Sequence, residues 1–329
     1  MNNIDYQWPM GAIPAPDEPY AENAKKRSTL HDCLDDFFTH MLGYPVIVMS
    51  SGQASLSLVL QYYEANRSQV IYVPKWAAHC LWHVTGSYAN PTCTDLQAAN
   101  IILAVHKYGF VKHYLPNAKQ IIIEDSVDSL LCNGNSLFPN GGDFEIVSLP
   151  KVMGIYSGAL LVCRSRELVK RIRPMTRAFG GLNAYAGRMR YLGSSGKGGP
   201  FCDILDTYQI FEWANFSPDY TVLRTIHDHL DALMHNRLVI EKRLSYLYRV
   251  APNLVSQDIK ITPGRLPPVI PVPLNSLPPE GVMVRHVNNT QDLGNPLFVK
   301  SALIPLHFGI SEDRFKDIVA IIKNERLRA

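Results

Sequence analysis

The chain has 329 residues, 47% of them hydrophobic and 19% charged, with a formal charge of +3. That composition suits a filled globular core in one large and one smaller domain, and it excludes disorder and collagen-like repeats. No Lys/Arg block is long enough for a nucleic-acid groove and no apolar run is long enough to cross a membrane, so neither nucleic acid nor membrane is expected as a partner.

Residues 1–20 are polar and Pro-rich, unlike a secretory leader, and read as an extended arm. Lys25-Lys26-Arg27, the densest basic run, reads as a solvated helix start. A helix is expected over 30–42, with Leu34, Phe37, Phe38, Met41 and Leu42 on one face and Gly43 ending it. A buried strand over 46–49 then leads through Ser50-Ser51-Gly52 into a helix over 53–65. Strands follow over 69–73, 101–105, 120–123, 145–148 and 159–163, with helices over 76–86 and 167–178. Short β-branched runs alternating with helices point to an α/β fold, a mostly parallel sheet covered on both faces.

Beyond Gly180 the pattern changes. Gly193 to Gly199 (GSSGKGG) lacks the spacing of a Walker A motif and reads as a surface loop. A long helix is expected over 220–248, then short strands separated by Pro-rich connectors (Pro267-Pro268, Pro271, Pro273, Pro278-Pro279). An amphipathic helix over 312–323 closes the chain, with Phe315, Ile318, Val319 and Ile322 on one face. This reads as a smaller α+β domain. Cys33, Cys80, Cys93, Cys132, Cys163 and Cys202 show neither C-x-x-C nor zinc-ligand spacing, as expected of reduced thiols in a cytoplasmic protein that binds no metal.

Four local features bear on chemistry. The turn Ser50-Ser51-Gly52-Gln53-Ala54 enters a helix, where it serves either as an ordinary cap or as an anion site. Glu124-Asp125 follow the apolar strand Ile121-Ile122-Ile123, where ligands bind in doubly wound sheets; Asp125 either caps the next helix or holds a ring nitrogen protonated. Lys151 follows Ser148-Leu149-Pro150 at another strand end, in what reads as a loop between two strands. A lysine that forms a Schiff base needs such a shielded place, and the Ser148 hydroxyl could reach a phosphate. Trp76, just past the strand ending at Val73-Pro74, is either a core residue or a platform for a planar ring. No G-x-G-x-x-G follows the first strand, which argues against a dinucleotide enzyme.

In this order the stretches SSGQASLSLVL, VPKWAAHCLW, AVHKYG, IIIEDSVDSL, SLPKVMGIYSGALLV and IPLHFGISEDRFKDIVAIIK resemble the DegT/StrS-like nucleotide-sugar aminotransferases of fold-type I, over nearly the whole chain. The resemblance implies a fold-type I PLP-dependent transferase: a mostly parallel central sheet flanked by helices, with a smaller α+β C-terminal domain. It suggests an arm over 1–27, a large cofactor domain over 28–235 and a small domain over 236–329. It implies pyridoxal 5'-phosphate (PLP) as cofactor, with Lys151 forming the Schiff base and shuttling protons. Asp125 would pair with the pyridinium nitrogen, and Trp76 would pack on the ring. Gly52, Gln53 and Ser148 would hold the phosphate. Asn215 would reach the phosphate of a neighbouring subunit, which makes a homodimer with shared sites the expected assembly. Substrates would be an amino acid, glutamate or glutamine, and a nucleotide-linked keto sugar, with a product for surface polysaccharide or a glycosylated metabolite.

The chain departs from that family at several positions. Gln53 stands where Thr is usual, and Asp128 stands beside the cofactor where Gln or His is usual, which places a second carboxylate there. The Arg of the family's Asn-Tyr-Arg segment is missing near Asn215. A catalytically silent dimer partner is the alternative these departures raise. A PLP-dependent sugar dehydratase is another, against which Lys151 argues, since the family's dehydratases carry His there.

Overall fold

A computed structural model describes residues 8–10, 12, 13, 16, 20, 24–178, 216–254, 261–274, 282–288 and 298–328. Among the described residues, seven strands build the central sheet: β1 (Val46–Met49), β2 (Val70–Tyr72), β3 (Asn90–Thr92), β4 (Ile101–Val105), β5 (Ile121–Asp125), β7 (Phe144–Ser148) and β8 (Ala159–Cys163). Their order is β1-β8-β7-β5-β4-β2-β3. Only β8 is antiparallel to its neighbours β1 and β7. The remaining pairs run parallel, so every strand but β8 ends at the same edge of the sheet. Ligand sites of doubly wound sheets lie at that edge.

All five positions of β4 and of β8 are buried, as in a sheet covered on both faces. Side chains alternate between two cores: Val46 and Val48 of β1 enter one, Ile47 and Met49 the other. Helix α1 (Ala24–Leu42) precedes β1, α2 (Gly52–Tyr62) and α3 (His79–Tyr88) connect the first strands, a short helix α4 (Leu149–Met153) lies between β7 and β8, and α5 (Arg166–Ile172) follows β8. Toward the C-terminus come α6 (Tyr220–Asp228), α7 (Leu230–Val250) and α8 (Glu312–Arg328). There β10 (Val269–Pro273), β11 (Val284–Asn288) and β12 (Phe298–Pro305) form a separate antiparallel sheet in the order β10-β12-β11. Phe315, Ile318, Val319 and Ile322 of α8 are buried, as its sequence pattern predicts.

Several elements differ from the sequence reading. Helix α1 starts at Ala24, inside the segment assigned to the arm, and Phe37, expected on its buried face, is exposed. The helix expected over 220–248 breaks at His229 into α6 and α7, and the boundary drawn at 235/236 falls within α7. Helix α5 gives way to a 3-10 turn over Arg173–Ala178, because Pro174 has no N–H for an α-helical bond. Pro271 and Pro273, read as connectors, lie in β10, and Pro91 lies in β3. Both are edge strands, the one place in a sheet where a missing donor is tolerated.

A short pairing of β6 (Leu130–Leu131) with β9 (Arg265–Leu266) ties the C-terminal third to the turn after β5. Arg265 is fully buried there and donates to Glu145 Oε1 at 2.7 Å, to Ser126 Oγ at 2.5 Å and to the Ser136 carbonyl at 2.7 Å. Ser126 Oγ also donates to Glu145 Oε1 at 2.5 Å. This network fixes the backbone between Asp125 and Asp128. Removing one partner of a buried ion pair leaves the other charge unpaired, so Arg265→Met is expected to cost about 3–5 kcal/mol in urea unfolding. Adding Glu145→Leu should return part of that loss. A double variant as unstable as the sum of the two singles would contradict this.

Candidate active site

Helix α2 begins where β1 ends. Ser51 caps it, its side chain accepting from the Ala54 N–H at 3.1 Å, and Gly52 and Gln53 form the first turn. First-turn N–H groups have no intrahelical partner, and the helix dipole adds positive potential, so this end suits an anion. A Cβ on Gly52 would lie 3.3 Å from Val127 Cγ1, so the small residue lets the turn approach the segment after β5.

Lys151 lies on α4 and not in a loop, which corrects the sequence reading. Ser148 precedes the helix, Pro150 fits its first turn, and Gly154 closes it in the left-handed region at φ 76°. Gly154 is required twice over. Its φ suits glycine, and a Cβ there would meet Phe308 Cζ at 2.7 Å and the Pro9 carbonyl at 3.0 Å. The α4 turn therefore docks against the N-terminal segment and the residues after β12.

Asp125 and Glu124 are adjacent on β5 and so face opposite sides of the sheet. Glu124 accepts from His106 Nε2 at 2.9 Å and from Asn140 Nδ2 at 3.0 Å. His106 Nδ1 accepts the Lys112 N–H at 3.1 Å, so the ring is the neutral Nε2–H tautomer. Burial also lowers its pKa. Glu124 is thus spent on structure. Asp125 faces the cavity. Its Oδ1 accepts the Val127 N–H at 3.1 Å, while Oδ2 is buried with no hydrogen-bond partner. Burial pushes its pKa up, and despite the Val127 hydrogen bond it reaches about 6.

Asp128 behaves in the opposite way. Burial raises its pKa too, but Lys107 and then Lys151 outweigh burial and bring it to about 2. Lys151 Nζ donates to Oδ1 at 2.6 Å and Lys107 Nζ pairs with Oδ2 at 2.9 Å. The Trp8 ring lies 4.7 Å from Lys151 Nζ.

These groups line one cavity of about 210 Å³. Gly52, Gln53, Asp125, Asp128, Ser148 and Lys151 all border it. Trp76 does not. It sits in the Pro74–Ala77 turn (Ala77 N–H to the Pro74 carbonyl, 2.8 Å), half-buried against the core beside the sheet, while Ala78, Cys80 and Leu81 border the cavity. Asn215 lies outside the described residues. Sequence reasoning missed Lys107, although it follows a parallel strand end, a position that marks ligand sites. It also missed Met10 and Trp8, whose place in the site depends on contacts distant in sequence.

PLP meets a fitting donor set here. The unpartnered Asp125 Oδ2 suits a protonated ring nitrogen, the α2 N-terminus suits a phosphate, and the Lys151 amine suits an aldehyde.

Residues 39–325 match the family model described as "Putative PLP-dependent aminotransferase". No curated protein matches the chain in sequence. Among solved structures, DesV of S. venezuelae, solved in complex with a ketimine intermediate, is 14% identical with a TM-score of 0.56, over 90% of this chain and 88% of that one. A DegT DnrJ EryC1 StrS aminotransferase from Brucella abortus is 14% identical with a TM-score of 0.59, over 90% and 89%. The aminotransferase TlmJ from Streptoalloteichus hindustanus is 13% identical with a TM-score of 0.57, over 91% and 92%. These likenesses show the fold, the fold-type I architecture.

The Asp125 environment has a pH signature in the cofactor-free protein. Its carboxyl has a pKa of 3.8 as a model group and about 6 in the fold. Between those values the folded state keeps a proton that the unfolded state has released, so stability falls as pH rises through this window and levels off above it. Asn cannot titrate. The stability of Asp125→Asn relative to the parent should therefore rise, on the order of 1–3 kcal/mol, from below to above the window. Denaturant melts across pH measure it, and a flat difference would contradict the assignment.

Proposed function

The chain belongs to this family of PLP-dependent aminotransferases, and from that premise we propose that it moves an amino group from an amino acid, glutamate or glutamine, to the keto group of a nucleotide-linked sugar. The product would serve surface polysaccharide or a glycosylated metabolite, made in the cytoplasm. One observation carries the catalytic part of this reading. A lysine amine, a buried carboxylate oxygen without a partner and a helix N-terminus converge on a single cavity. The sugar part is supported by the ordered motifs from Ser50 to Lys323 and by the likeness in fold to DegT/StrS-type structures.

When bound, PLP supplies an electron sink for the carbon that exchanges its amine. The chain's own groups then divide the work. Lys151 Nζ would hold the cofactor and, when free, would take and return a proton beside the substrate. Asp125 Oδ2 would hold a proton at the ring nitrogen, which would keep the sink effective. The first-turn N–H groups at Gly52 and Gln53, with the Ser148 hydroxyl, would orient the phosphate at the positive end of α2. Ser148 makes no side-chain capping bond to α4, so its hydroxyl is not committed there. Burial of Asp125 and Asp128 keeps water from weakening these contacts. A homodimer would bring Asn215 of one subunit to the phosphate of the other.

The purified protein mixed with PLP should show a visible absorbance band that borohydride abolishes, leaving the reduced cofactor on the Lys151 peptide. Glutamate or glutamine should bleach the band and release one keto acid per cofactor. Lys151→Ala should lose the trapped product and lower turnover on the order of a thousandfold or more. A cofactor trapped on another lysine, or a band indifferent to every amino acid, would refute this reading. Keto-sugar nucleotides offered to the aminated enzyme then test the acceptor.

A further inference from the structure

Asp128 is shared by two cations, and the catalytic scheme uses only one of them. Its side chain is almost fully buried, with Lys151 Nζ on one oxygen and Lys107 Nζ on the other, at 2.6 and 2.9 Å. Lys107 comes from the 3-10 turn Lys107–Gly109 after β4, where Tyr108 adopts a left-handed φ of 54°. Such a backbone is uncommon away from glycine and clusters at functional sites. The Lys107 ammonium lies 5.0 Å from the Tyr108 ring and 5.8 Å from the Trp8 ring. The same indole backs Lys151. Among the described residues, the other titratable groups lining the cavity are Asp125, Cys80 and Tyr156.

An ammonium that faces a buried carboxylate alone is held in its charged form, and a charged amine is no nucleophile. A second cation on the same carboxylate changes this balance. It divides the attraction and adds repulsion between the two ammonium groups. We propose that Lys107 is a positioning residue for Lys151: by holding one oxygen of Asp128 it keeps that carboxylate from locking Lys151 as an ammonium, and so leaves the Lys151 amine able to add to an aldehyde. This rests on Lys151 as the attachment residue. In that step Lys151 Nζ gives one proton to solvent, a carbon–nitrogen bond forms, and the aldehyde oxygen leaves as water. Asp128 remains ionised throughout because Lys107 stays with it.

Two probes separate this proposal from the functional reading. The full-length parent and its variants are treated with trace acetic anhydride, and acetylation of the Lys151 peptide is followed by mass spectrometry. The same proteins are mixed with PLP, and attachment is trapped with borohydride. Near neutral pH, Lys107→Met should slow both reactions at Lys151 on the order of tenfold or more. Lys107→Arg, which keeps a cation, should stay within a few-fold of the parent. Adding Asp128→Asn to Lys107→Met should recover most of the lost rate, which a merely structural pair would not do for amine reactivity at unchanged melting temperature. A folded Lys107→Met whose Lys151 acetylates at the parent rate, or a double variant without recovery, overturns the proposal. If Lys107→Met does not fold, Asp128→Asn alone decides, since it should speed acetylation of Lys151 and an unchanged rate is contrary. A parent whose Lys151 acetylates but never takes PLP would instead sink the functional reading, while the acetylation series still settles the part played by Lys107.

Discussion

A carboxylate oxygen buried without a partner is the constraint around which this site is arranged. Asp125 Oδ2 is shielded from water and accepts no hydrogen bond, although two lysine ammonium groups sit nearby on Asp128. Burying a charge in this way is unfavourable unless something cationic arrives. The fold holds the arrangement because the parallel register from β4 through β7 and the Arg265–Glu145–Ser126 network leave the β5 turn little freedom. On the proposed reading, a protonated ring nitrogen of the cofactor would be that partner.

The two faces of β5 make the same point by contrast. Glu124 has its acceptor capacity met by His106 and Asn140, and its pKa is lowered because these bonds outweigh burial. Asp125, one residue on, has its pKa raised by burial. Adjacent acids thus separate into a structural and a reactive one because alternation along a strand delivers them to different surroundings. Asp128, with two lysines, forms a third case, an acid kept ionised by its own counter-ions.

Much of this was legible in the sequence. Strand ends in a parallel sheet are where ligands bind, so Asp125 and Lys151 were candidates by position, and the Ser-Gly turn into α2 was open as a cap or an anion site. The remainder depended on information that periodicity does not carry. The helix expected from Trp76 starts only at His79, after the Pro74–Ala77 turn, and Ala78 and Cys80 border the cavity while Trp76 does not. The helix carrying Lys151 is five residues long, too short to show a repeat, and is defined by Pro150 and Gly154. Trp8 and Met10 flank Pro9, which lies against Gly154 and Gly309, far away in sequence; Met10 borders the cavity and the Trp8 ring backs Lys151. Pro91 and Pro271 hid strands because an edge position removes the usual objection to proline.

The central claim is that Asp125 holds a proton on the ring nitrogen of the cofactor. Nitrogen-15 NMR of the enzyme loaded with PLP labelled at that nitrogen tests it directly. The resonance should remain that of a protonated pyridinium well above the pH at which free cofactor loses the proton, and it should collapse to the unprotonated position in Asp125→Ala. An unprotonated nitrogen in the parent enzyme, or a protonated one indifferent to the loss of Asp125, would contradict the account.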